Sequence, residues 1–529
     1  MKKKFSIIMV IVLLLGFIPI NNVQADSNIS NPEFIELLDD LVNSEIEYGL
    51  SGAQIAAYKD GKLIKNSAYG YINNYENVKD EYGNIIVGKN RVLRDDEKFL
   101  VTNDTLFDLA SNTKMFATVY ALQKLVSENK ISLDTKIYEI FPEFLEYANE
   151  NKWKEKIDLK MILSHRAGFV ASPKYHDENY DEADQIKNGK NDLYSQDRDT
   201  TFNMIMKTPL VREPNSKWEY SDVDMMLAGF IIEKITGQDL DTYVKENIYQ
   251  PLGIDGIRFN PLENNIDKNN IAATEVNGNT RGGRRAFNNV RKYVLQGEVH
   301  DEKAFHSFDG IAGHAGLFGS AKQLAYLSQA MLNGGVLDDV QLFNQDTIDK
   351  FTEVSELSTQ TLGGWRRKSE TGGAATWFSE FAPAGTIGHT GWTGTLSLID
   401  KENNFTMFLN TNARNTPIMG PKDNDFYTKN SNIASYGLVS ELLYRALGLA
   451  DDKSVDDVLM GIIESEITDI DLESQLPSKR NVIRSLMDVL ENRSKNSQVL
   501  LDYLNSDNIQ SIISELEKTY MQDVLNIKL

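Results

Sequence analysis

Phe107-Asp108-Leu109-Ala110-Ser111-Asn112-Thr113-Lys114-Met115-Phe116 sets a serine and a lysine three residues apart inside apolar sequence. Beyond it, Met115, Phe116, Val119, Leu122, Leu125 and Val126 recur at helical spacing. That spacing predicts a helix over residues 112–128 with a core-facing stripe. Ser111 then lies at a helix N-terminus, where free N–H groups and the dipole favour negative charge. Lys114 lies on the same face as Ser111. Taken alone, such a pair is a cap and a solvated charge. Its apolar surroundings favour chemistry instead: a lysine buried beside a serine loses hydration, its pKa falls, and it can accept the serine proton.

Two further strings follow in order. Tyr220-Ser221-Asp222 comes after the turn-prone Arg212-Glu213-Pro214-Asn215-Ser216-Lys217-Trp218-Glu219 and before the apolar run Met225–Ile235. Its phenol is expected to shuttle a proton between Ser111 and the leaving group. Asp222 is expected to point at substrate or at Lys114. His389-Thr390-Gly391, followed by Trp392, opens a strand-like segment. A glycine there admits close approach of a substrate backbone, and the strand edge can pair with a peptide. The backbone N–H groups of Ser111 and Trp392 are expected to form an oxyanion hole.

Working outward, Gly52–Tyr58 and Leu63–Tyr71 flank Asp60-Gly61, a hairpin signal. Thr395–Ile399 and Phe405–Leu409 form a second hairpin. Residues 72–104 and 170–200 are polar and turn-rich, and read as an excursion and a loop insertion. Strands therefore flank a helical middle, which predicts an α+β fold: an antiparallel sheet flanked by helices, with an all-α region inserted. Three apolar stripes at helical spacing, within 455–467, 482–490 and 509–520, make residues 451–529 a helical C-terminal extension without catalytic strings. Its helices are expected to pack on the main domain or on each other, and to be dispensable for the chemistry.

These strings resemble those of the serine β-lactamase and penicillin-binding-protein superfamily, on the branch of class C β-lactamases, D,D-carboxypeptidases and related esterases. The resemblance covers about residues 45–450. It extends to Ile162-Leu163-Ser164-His165-Arg166-Ala167-Gly168-Phe169, and to Gly297-Glu298-Val299-His300-Asp301-Glu302 and Gly313-His314-Ala315-Gly316-Leu317-Phe318. The last two resemble the penicillin-binding protein 4B-like subgroup. The resemblance implies a β-lactamase/transpeptidase-like fold with Ser111 in the cleft between sheet and helical region. It implies a catalytic set of Ser111, Lys114 and Tyr220, and a substrate-binding set of Asp222, His389, Thr390, Gly391 and Trp392. Two departures stand out: Asp222 replaces the usual Asn, and His389 replaces the Lys of many β-lactamases. His389 is expected to titrate near its ordinary pKa of about 6.5.

The implied activity is a serine hydrolase forming an acyl-enzyme on D-alanyl-D-alanine peptides of the cell wall. Alternatives are an esterase on small acyl or D-alanyl esters, a β-lactamase, or a weakly catalytic penicillin-recognising wall protein. β-Lactams are expected inhibitors, and no cofactor is required. His300, Asp301, Glu302, His306 and His314 invite a metal reading, but their spacing does not match a helical zinc pair; no metal is expected, and His165 is expected to make a structural hydrogen bond. The chain of 529 residues has no cysteine, which excludes thiol chemistry and disulfides. Its net charge of -22 argues against nucleic acid. Lys2, Lys3 and Lys4, an apolar run and Val23-Gln24-Ala25 predict a secretory signal over residues 1–25, with a domain over 26–450 behind it. Membrane contact is expected only if that segment stays uncleaved.

Overall fold

The computed structural model describes residues 29–147, 151–182, 185–358, 360–370 and 376–528. The signal segment expected over residues 1–25 lies outside the described residues. The centre is a six-stranded antiparallel sheet built from both chain ends: β1 (Gly52–Lys59), β2 (Lys62–Gly70), β3 (Arg366–Arg367), β4 (Ile387–Gly391), β5 (Thr395–Asp400) and β6 (Phe405–Thr411). Their order is β3-β4-β5-β6-β1-β2. The β1–β2 hairpin turns at Asp60 and Gly61, with φ of 51° and 76°. Both central residues are thus in the left-handed region, as a type I′ turn requires.

Strand alternation separates two cores. On one face Ala56 and Tyr58 of β1, Ile399 of β5 and Phe408 of β6 join the helical middle of the chain. That middle includes α2 (Tyr120–Ser127) and α3 (Asp222–Thr236). On the other face Ala53, Ile55 and Ala57, Leu396 and Leu398, and Phe405, Met407 and Leu409 join α1 (Glu33–Glu47) and α4 (Gly437–Ala446). The architecture is the expected α+β one: an antiparallel sheet with a mostly helical region between its early and late strands.

The C-terminal stripes form α5 (Val455–Ile467), α6 (Pro477–Ser494), α7 (Gln498–Leu504) and α8 (Asp507–Lys528). Their apolar side chains enter the α1–α4 core. Polar ties fix α6 on α1: Ser44 Oγ donates to the Ser485 carbonyl at 3.0 Å, and Tyr48 Oη to Asp488 at 2.7 Å. The 72–104 excursion holds a two-stranded ribbon, Tyr75–Lys79 against Ile85–Val92. Few apolar residues mark it in the sequence because it is half-exposed.

Candidate active site

Ser111 stands on a strained turn. Ala110 before it has φ 46°, a left-handed conformation that costs an alanine about 1 kcal/mol. The buried Asp108 carboxylate accepts the Ala110 N–H at 2.7 Å and the His300 N–H at 2.6 Å, tying the 297–302 phrase to the serine turn. The 313–318 phrase is fastened beyond it. Thr113 Oγ1 accepts the Leu317 N–H at 3.0 Å, and Thr118 Oγ1 donates to the Gly313 carbonyl at 2.7 Å. The helix after Ser111 runs as a π-helix from Lys114 to Val119 before α2, a widened turn often found at functional sites.

Two side chains converge on the oxygen of a third. Lys114 Nζ is 3.0 Å and Tyr220 Oη 3.1 Å from Ser111 Oγ. Lys114 is fully buried; it also donates to the His314 carbonyl at 2.9 Å and lies 3.1 Å from Asp222 Oδ1. This corrects the sequence-based expectation of a lowered lysine pKa. Burial does oppose the charge, but Asp222 and then Tyr220 outweigh it, and the pKa is held above the ordinary lysine value. Lys114 rests as an ammonium. Asp222 in turn keeps its charge against burial because Lys114 and Lys303 face it. As the first residue of α3 it also sits at the positive end of that helix.

Tyr220 is held in a frame. Its ring centroid is 4.5 Å from that of His165, and the Ser221 N–H reaches His165 Nδ1 at 3.3 Å. His165 Nδ1 also lies 3.1 Å from Asp224 Oδ2. Burial, with Arg366 and Lys114 nearby, pushes the imidazole pKa well down, and burial pushes the Asp224 carboxyl up. Both shifts favour the uncharged forms, which suits a hydrogen-bonded support.

On the sheet side, Gly391 is required by space. A Cβ there would meet Thr395 Oγ1 at 2.2 Å and the Leu109 carbonyl at 2.5 Å, so β4 lies directly against the serine turn. Among the described residues β3 covers β4 only at Ile387 and Gly388, and no strand pairs with the edge over His389–Gly391 on that side. Thr390 is half-buried, and its carbonyl lies 2.7 Å from His389 Nδ1. Trp392 is exposed, with the Arg414 guanidinium 4.4 Å from its ring centroid. Among the described residues no hydrogen bond engages the backbone N–H of Ser111 or Trp392.

His389 departs from expectation. It is buried, its ring centroid 6.2 Å from that of Tyr220. Burial, Arg366 and Lys114 lower its pKa well below the ordinary value. The ring is therefore neutral over the working range and does not gain charge near pH 6.5. KM for a carboxylate-bearing peptide is expected to stay constant within about twofold from about pH 5.5 to 8. An inflection of KM near pH 6.5 would show that the ring titrates.

A permanent cation beside Tyr220 is Arg366, which no motif in the sequence marks. Its guanidinium carbon is 5.1 Å from the Tyr220 ring centroid and 4.9 Å from that of Trp218. Its Nε has no hydrogen-bond partner among the described residues. Trp365 before it is buried against Phe116, centroids 6.0 Å apart, which anchors β3 to the nucleophile helix.

The histidines weighed for a metal are dispersed. His300 Nε2 lies 3.1 Å from Glu275, and the His306 ring packs on Phe287. Asp222, Asp301 and His314 do bring ligand atoms within 4.8 Å of one another. There the ammonium of Lys303, 3.4 Å from Asp222 and 3.0 Å from Asp301, supplies the positive charge.

Residues 34–429 match the family model described as Beta-lactamase. A protein of Escherichia coli (strain K12) named "Putative D-alanyl-D-alanine carboxypeptidase" is 40% identical over 420 residues, 79% of this chain and 91% of its own length. "N-acetylmuramyl-L-alanine amidase" of Bacillus subtilis (strain 168) is 39% identical over 414 residues, 78% and 88% of the two lengths. Among solved structures, a penicillin-binding protein homolog from Caulobacter crescentus aligns with a TM-score of 0.52 at 18% identity, over 78% of this chain and 97% of its own. The hydrolase EstCE1 aligns at 0.52 and 17% identity, over 77% and 98%. These two likenesses concern the fold.

Proposed function

The chain belongs to the Beta-lactamase family and is a serine hydrolase, and from that premise we propose that it is an exported D,D-carboxypeptidase of cell-wall peptides. The proposal rests above all on Arg366. A terminal D-alanine carries a carboxylate one residue from the bond to be cut. A fixed guanidinium beside Tyr220 and the open β4 edge suits that carboxylate. An ester, or an amide joining a sugar to the first alanine, has no such group there.

In the proposed reaction the peptide lies along His389–Gly391, its terminal carboxylate toward Arg366. Once the Lys114–Tyr220 pair has lost one proton to solvent, Tyr220 takes the proton of Ser111 as Oγ attacks the carbonyl carbon. The N–H groups of Ser111 and Trp392 receive the oxyanion, each donor worth about 3 kcal/mol in comparable sites. Collapse breaks the C–N bond, and the departing amine of D-alanine takes the proton from Tyr220. Water then repeats the sequence on the acyl-enzyme, freeing the shortened peptide and restoring Ser111. The basic start, apolar run and Val23-Gln24-Ala25 site support export to the envelope.

Arg366→Ala is the test. KM for a D-alanyl-D-alanine peptide is expected to rise about 10–100-fold, the loss of a charge-assisted contact, while a short neutral ester is turned over as before. Equal loss on both substrates would remove the carboxylate contact and favour the esterase reading. Cleavage only between sugar and L-alanine would favour the amidase reading.

A further inference from the structure

Behind Ser111 lies a closed ring of ion pairs and hydrogen bonds. Lys114 Nζ is 3.1 Å from Asp222 Oδ1, and Asp222 Oδ2 is 3.4 Å from Lys303 Nζ. Lys303 Nζ is 3.0 Å from Asp301 Oδ2, and Asp301 Oδ1 is 3.0 Å from His314 Nε2. The His314 carbonyl closes the ring on Lys114 Nζ at 2.9 Å. Lys303 is buried and stands in the helix Glu302–Phe308, just after the 297–302 phrase. Its ammonium bridges the two carboxylates and touches neither Ser111 nor Tyr220.

The ring answers a problem that Asp222 creates. A neutral amide at 222 would leave Lys114 free to change its protonation state. A carboxylate instead holds a proton on Lys114, yet the unit of Ser111, Lys114 and Tyr220 must lose one proton before Ser111 can attack. We propose that Lys303 is a positioning residue of the acylation step: it shares the Asp222 carboxylate with Lys114 and so lets that unit shed its proton within the working pH range. The inference rests on the serine acylation described above and adds a residue to it. Without Lys303, losing that proton would leave Asp222 and Asp301 facing each other with only the His314 ring beside them, an expensive arrangement in a partly buried site.

The other charged groups around the ring do not replace Lys303. Toward Lys114 face Asp222, Tyr220, and the neutral His165 and His389, with Arg366 beyond Tyr220. Toward Lys303 face Asp301, Asp222 and Glu302, with His176 and Tyr180 further out. Glu302 is matched separately by Arg285 at 3.1 Å. Lys303 keeps its proton firmly, since Asp301 and Asp222 outweigh burial, so it acts as a fixed charge.

The test is the pH profile of Ser111 acylation by a fluorescent penicillin. Lys303→Met is expected to move the ascending limb upward by about one pH unit, a tenfold loss on that limb. Lys303→Arg is expected to restore the wild-type limb. In Asp222→Asn/Lys303→Met no charge is left to balance at 222, and the limb is expected to return most of the way. A uniform loss with no shift, or a double variant no better than Lys303→Met, would make Lys303 merely structural and overturn the proposal. If Lys303→Met fails to give a cooperative melt, Asp222→Asn alone decides: its limb should move to lower pH, and an unmoved limb overturns the proposal. Should the wild-type protein take no label on Ser111, the serine reading itself fails, an outcome distinct from an unshifted profile.

Discussion

Ser111→Ala is expected to abolish covalent labelling by a fluorescent penicillin and to lower peptide hydrolysis by on the order of 10⁶-fold, the scale seen when a serine nucleophile acting within such a unit is removed. The size follows from the convergence on one atom. Lys114 and Tyr220 both direct their polar atoms at Ser111 Oγ. Without the oxygen no covalent step remains, and only binding and the oxyanion donors persist. Lys114→Ala should cost at least about 100-fold, because Tyr220 would lose the cation 5.1 Å from its ring and Asp222 would keep only the more distant ammonium of Lys303. Gel fluorescence and steady-state turnover measure both. Label on the Ser111→Ala protein would place the nucleophile elsewhere.

Removing residues 451–529 is expected to cost the protein its cooperative melt, although no catalytic side chain lies there. Leu459, Ile463, Ile483, Leu490 and Leu500 are fully buried in the same core as α1, α4 and one face of the sheet. At about 1.5–3 kcal/mol each, these five alone match a typical domain stability of about 5–15 kcal/mol. Their loss would also uncover the side of α1 that α6 ties down through Ser44 and Tyr48. Calorimetry of a chain ending at residue 450 checks this. A truncated protein that melts cooperatively near the full-length Tm would mean that the two-faced core does not need the extension. Chemistry that survives in any folded fraction would agree with a site built wholly on the other face.

The sheet and its hairpins were legible because their residues alternate in and out of two cores, and the helices because their apolar stripes are long. The serine turn was legible because Ser111 and Lys114 are close in sequence. Arg366 was hidden: it enters the site through a two-residue strand whose pairing with Gly388 is not local. The state of Lys114 was misread for a related reason. Burial alone predicts a lowered pKa, and only folding brings Asp222 within 3.1 Å to reverse it. His389 was misjudged in the opposite sense, since its burial and the nearness of Arg366 are likewise tertiary facts. Lys303 follows a recognised phrase by one residue, yet its partner Asp222 is far away along the chain.

The most direct measurement combines product and intermediate. The protein is mixed with an acetylated peptide ending in D-alanyl-D-alanine and quenched in acid, then digested and weighed by mass spectrometry, while free D-alanine is assayed in parallel. The expected result is one D-alanine per peptide shortened by one residue, with an acyl adduct on the fragment that carries Ser111. An adduct on another residue, or a peptide cut at any other bond, would contradict it.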